Sequence, residues 1–107
     1  MPLINIEFDD GIVKKQEIVS LSDAIQKIVS RVTGIADVFV YANSAQIKVQ
    51  IAPVEIFVHM SDHKIKNEDT LIADIKAQLA QWKKDVSFPH PINLSLIPMH
   101  WKIEIGI

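Results

Sequence analysis

The sequence predicts an α+β fold in two layers: one mixed β-sheet with two helices packed on one of its faces. Two stretches carry apolar residues at helical spacing, and the remaining apolar residues alternate with polar ones at the period of a strand. Read in order, these signals give β-α-β-β-β-α-β-β. Two strand–helix–strand units side by side build such a sheet, with both helices on the same side. The 107 residues suit one domain, residues 1–107, with a modest core.

The first strand spans residues 3–8. Ile4, Ile6 and Phe8 point one way and Leu3, Asn5 and Glu7 the other. Pro2 stands at its start, where a missing N–H removes no ladder bond. Asp9-Asp10-Gly11 turns the chain. Ile18, Leu21, Ile25, Ile28, Val29 and Val32 then form a helical stripe, with Ser20 and Asp23 as a cap signal and the lead from Val13 to Val19 open between helix and loop. Thr33-Gly34 ends that helix.

Asp37–Ala42 is rich in strand formers, including Val38, Val40 and Tyr41. After Asn43-Ser44, Ile47, Val49 and Ile51 alternate with Gln46, Lys48 and Gln50, which predicts a further strand. Val54–Met60 is the most apolar strand and is expected at the centre of the sheet. Asn67 is a good N-cap for a helix over 67–86, with the stripe Leu71, Ile75, Leu79, Trp82 and Val86. Phe88-Pro89-His90-Pro91 is a non-helical connection. Ile92, Leu94 and Leu96 make a strand that Pro98 is expected to end, and Trp101, Ile103, Ile105 and Ile107 predict a short terminal strand with an apolar face. Two helices cover only one side of such a sheet, so the other side, or the terminal strand, is expected to meet another copy.

Composition narrows the function. A formal charge of −2 and a pI near 6.0 offer no basic field for nucleic acid. With no cysteine, disulfides and thiolate metal sites are excluded. No apolar run reaches the roughly 18 residues of a membrane helix, and no leader pattern opens the chain. A soluble cytoplasmic protein is expected. His59 and His63 are four apart across a strand end, where they share no face, so neither a metal site nor a cofactor is expected. Trp82 is expected in the core, Trp101 at an interface, and Tyr41 at an interface or a pocket.

With Met1-Pro2 ahead of a strand, Val32-Thr33-Gly34-Ile35 ending the first helix, Phe57-Val58-His59-Met60 before the second and a closing Leu96-Ile97-Pro98, the chain resembles the tautomerase superfamily. That superfamily includes 4-oxalocrotonate tautomerase, macrophage migration inhibitory factor and 5-(carboxymethyl)-2-hydroxymuconate isomerase. The isomerase branch and small uncharacterised bacterial relatives are nearest in layout. The resemblance implies a homotrimer with active sites between subunits. It also implies that Pro2, once Met1 is removed, is the general base that moves a proton within a small unsaturated oxo or enol acid. A secondary amine is too basic in water to be free at neutral pH; an apolar pocket and nearby cations bring it down.

The substrate carboxylate then needs a cation. The only arginine, Arg31, lies inside the first helix and matches no family position. Lys64 and Lys66 fall where the isomerase branch places an arginine; Lys48 and His59 are further candidates, although a lysine lacks the guanidinium fork. Two alternatives remain: a non-catalytic trimer of the same fold that binds a metabolite or a protein partner, and a ferredoxin-like binding module, whose element order is similar.

Overall fold

The computed structural model describes all 107 residues. Its elements are β1 (Leu3–Phe8), α1 (Lys15–Thr33), β2 (Phe39–Asn43), β3 (Val54–Ser61), a 3-10 turn over Asp62–Lys64, α2 (Glu68–Val86) and β4 (Ile92–Met99). The sheet has four strands in the order β2-β1-β3-β4. β2 runs parallel to β1, β1 antiparallel to β3, and β3 parallel to β4, so the sheet is mixed. The most apolar strand, β3, is central as expected.

Alternation decides which side of each strand is covered. Ile4, Ile6, Val54, Ile56 and Val58 face the helices and are at most 1% exposed. They pack with Leu21, Ile25, Ile28 and Val29 of α1 and with Ile75 and Leu79 of α2 in one core. Trp82 packs against that core, its ring 5.3 Å from Phe88.

The helix ends follow local chemistry. α1 starts at Lys15, earlier than Ser20 suggests, because the Glu17 carboxylate accepts the Lys14 backbone N–H at 2.9 Å. Ser20 is therefore an exposed helical residue rather than a cap. At the other end Gly34 takes a φ of 72° and its N–H reaches the Ser30 carbonyl at 2.8 Å. Asn67 caps α2, its Oδ1 accepting the Thr70 N–H at 2.9 Å.

Two expected strands do not form. Residues 46–51 alternate as a strand should, yet Ile47 and Val49 are 88% and 99% exposed and unpaired. β1 lies between β2 and β3, so the connection must cross the end of β1 and is used up in doing so. Lys48 anchors this crossing to Asp9 and Asp10, and the Asp9 N–H donates to the Pro53 carbonyl at 3.0 Å. Residues 101–107 are also unpaired, with Ile105 77% exposed. To use the free edge of β4 they would have to fold back tightly, and Met99-His100 supplies no residue suited to a hairpin turn. β4 itself runs through Pro98 to Met99, because at a sheet edge the missing N–H removes no bond.

Candidate functional site

The start of β1 and the ends of β3 and β4 lie at the same end of the sheet. Pro2 sits there. Its ring is fully buried, and its carbonyl accepts the Phe39 N–H at 3.1 Å, which ties it to β2. Leu3 is registered with His59, so continuing the ladder by one residue sets Pro2 beside Met60, on the helix side of the sheet. Because Met1 precedes it, the Pro2 nitrogen is an amide nitrogen with no basic lone pair.

Met60 also belongs to the wall of a cleft of about 270 Å³ between the C-terminal end of α1 and the N-terminal end of α2. Lys64 and Lys66 line it, with Val32, Thr33 and Asn67. The cleft is where the chain leaves β3: the 3-10 turn and the short link to Asn67 carry both lysines across the sheet end. Their ammonium groups and the positive end of α2 suit an anionic oxygen, while Asp74 also lines the cleft and Glu68 and Asp69 open α2.

The other two sequence candidates are elsewhere. His59 lies on the opposite, helix-free face, where its Nε2 is 3.3 Å from Asn5 Nδ2. Lys48 is held at the far end of β1, which six residues of strand place roughly 20 Å from Pro2. There the Asp10 carboxylate, then Asp9, raises the Lys48 pKa above its ordinary value, and Lys48 in turn lowers that of Asp10. Within one chain, then, Lys64 and Lys66 line one cleft at the sheet end where Pro2 precedes β1, and Pro2 itself is not among the lining residues. His59 lies on the other face and Lys48 at the other end of β1.

Three side chains at this same sheet end escape sequence reasoning as a group. Asp62, His63 and His100 each present a ligand-type atom, all within 4.8 Å of one another. His63 stands out in the sequence only as a partner for His59. The link to His100 requires knowing that β3 and β4 are parallel neighbours. A second long-range pair lies at the opposite end of β4: His90 Nε2 is 3.0 Å from Glu17 Oε1, joining the link before β4 to the start of α1.

The helix-free face carries Phe39 and Tyr41 of β2, Leu3 and Asn5 of β1, Phe57 and His59 of β3 and Ile97 of β4, in register across the strands. Phe39 and Tyr41 are 43% and 54% exposed. No helix is long and apolar enough to cross a membrane.

No protein-family model and no curated protein matches the chain by sequence. Solved structures do. A fused 4-OT wild-type symmetric trimer superposes with a TM-score of 0.69 at 16% identity, over 98% of this chain and 94% of that one. Malonate semialdehyde decarboxylase gives a TM-score of 0.69 at 14% identity, over 98% and 92%. A domain of unknown function, DUF1904, from Sebaldella termitidis gives 0.65 at 14% identity, over 100% and 98%. The likeness shows that this chain shares the fold of these structures.

Proposed function

We propose that this chain, built on the tautomerase-superfamily fold, is a tautomerase that shifts a proton within a small unsaturated oxo or enol acid. The observation that carries the proposal is the position of Pro2: first residue ahead of β1, against β2, at the sheet end where Lys64 and Lys66 line a cleft. Removal of Met1 turns the Pro2 nitrogen into a secondary amine at a buried position. Burial disfavours its charged form, so its pKa falls toward neutrality and the free amine becomes available as a base. The amine takes a proton from the enol oxygen, or from carbon, and returns it at the other end of the conjugated system. Lys64 and Lys66 hold the carboxylate meanwhile. No cofactor enters. Two of the similar structures support the reading by what they are: one is a 4-OT, and the decarboxylase was solved also with its first-position proline replaced by alanine.

The assembly we propose is a homotrimer, as in the fused 4-OT. The exposed apolar alternation of 101–107 and of Ile47 and Val49 lacks a partner within one chain, and a second copy offers free edges at β2 and β4. Such an assembly also offers a way for His59 or Lys48 of one copy to reach a site in another.

Intact-mass measurement of the natively expressed protein should show loss of Met1. Ketonisation of an enol acid such as phenylenolpyruvate should fall by about 100-fold or more in Pro2→Ala, the scale of a lost general base. Unchanged turnover removes Pro2 from the mechanism. Full retention of Met1 favours the second reading, a non-catalytic trimer that binds a metabolite or a protein, for which the fully buried amide nitrogen of Pro2 speaks.

A further inference from the structure

β3 and β4 are parallel and remain in register to their last pair, Ser61 opposite Met99. The next residue on each strand is therefore delivered to the same place, and these residues are Asp62 and His100. Asp62 opens the 3-10 turn, which brings His63 round to the same spot. The result is two imidazoles around one carboxylate. Asp62 Oδ1 is 3.7 Å from His63 Nε2, and Asp62 Oδ2 is 3.8 Å from His100 Nδ1. The two rings meet edge to face, their centres 5.9 Å apart.

These separations are too long for hydrogen bonds, which close by about 3.2 Å for nitrogen and oxygen. They are close to what a shared ion requires. Ligand atoms about 2.0–2.2 Å from a tetrahedral metal stand roughly 3.4 Å from one another. Contraction by a few tenths of an ångström brings each Asp–His pair to that spacing, and the widest separation within the trio, at most 4.8 Å, closes by rotation of the side chains. The side chains are free to make that movement. They are 46–77% exposed, and none is held by a hydrogen bond to another group. An ordinary exposed ion pair between Asp and one His would need neither the second ring nor the parallel register that supplies it.

We propose that Asp62, His63 and His100 form a binding site for a divalent transition-metal ion of the zinc class. Imidazole nitrogen with one carboxylate oxygen suits zinc, copper or nickel and is poor for calcium or magnesium, which require oxygen ligands. Three protein ligands leave at least one position for water or for an anionic oxygen. The site is at the Pro2 end of the sheet, but metal binding needs neither removal of Met1 nor turnover. It therefore stands or falls separately from the role of Pro2.

The test is calorimetric titration of the EDTA-treated full chain with Zn²⁺ at pH 7.5, with Co²⁺ absorption as the reporter of coordination. One ion per chain is expected. His63→Ala and His100→Ala should each weaken binding by more than tenfold, since even outer-shell changes cost about 10–100-fold. His90→Ala, at the other end of β4, should leave binding unchanged. Affinity should fall as the pH is lowered from 7.5, since an imidazole must be without its second proton to bind a metal ion. Circular dichroism of each variant establishes that the fold survives these surface changes. No binding, or binding that His63→Ala and His100→Ala leave intact, overturns the proposal.

Discussion

The two faces of the sheet are made by the same four strands and have opposite characters. On one, Ile4, Ile6, Val54, Ile56 and Val58 are closed under α1 and α2. On the other, the alternate residues Asn5, Tyr41, Phe57 and His59 mix aromatic and polar groups under no layer of their own. The first face has solved its burial within one chain. The second has apolar area to bury and polar groups to keep, the composition of a surface that meets another copy.

The sharpest way to break this contrast is to truncate neighbours of opposite orientation on β3. Ile56→Ala opens a cavity in the helix-covered core and should cost about 2–5 kcal/mol in urea unfolding, at any protein concentration. Phe57→Ala changes the other face. Its cost should depend on protein concentration, because a group buried only between copies contributes through association. Equal, concentration-independent losses for the two variants would show that both faces are internal to one chain. A smaller effect on stability is expected for Tyr41→Lys on β2. It places a charge on the helix-free face, and light scattering should report a smaller assembly while the circular dichroism spectrum is retained.

The helix-covered side was largely legible from sequence. The stripe of α2, the Asn67 cap, the Gly34 stop and the alternation of β1 and β3 are local signals, and local physics settles them. What was not legible depended on connections. Ile47 and Val49 alternate as well as any strand residue, and only the strand order shows that their segment must cross β1. The terminal Ile103, Ile105 and Ile107 have the same pattern with no edge in reach. Pro98 reads as a stop until β4 is known to be an edge strand. Pro2, Lys64 and Lys66 lie at one end of the sheet because each flanks an element whose end the sequence marks. The separation of Lys48 from Pro2 was not legible, since it rests on Asp9 and Asp10 holding that lysine at the other end of β1. His100 was missed for a related reason: it gains its neighbours only through a parallel register that pairs residues 38 positions apart in the chain.

The smallest expected effect tests the rim of the covered face, where Glu17 ties the start of α1 to the link before β4. The Lys14 backbone N–H, and after it the His90 ring, holds the Glu17 carboxyl below its ordinary range. A carboxyl with a lowered folded-state pKa binds protons more readily in the unfolded chain. Its stabilisation is therefore present above the ordinary value near 4.3 and is lost as pH falls through that value and the lower folded one. Thermal midpoints of the native protein and Glu17→Gln, followed from pH 6 to pH 3, should differ by a small margin at pH 6. The margin should shrink toward zero in acid, because a protonated Glu17 no longer offers the charge that the N–H and the imidazole favour. A margin that stays constant across the range would mean that the charge of Glu17 contributes nothing, and that this corner of the covered face is held by packing of Phe88 against Trp82 alone.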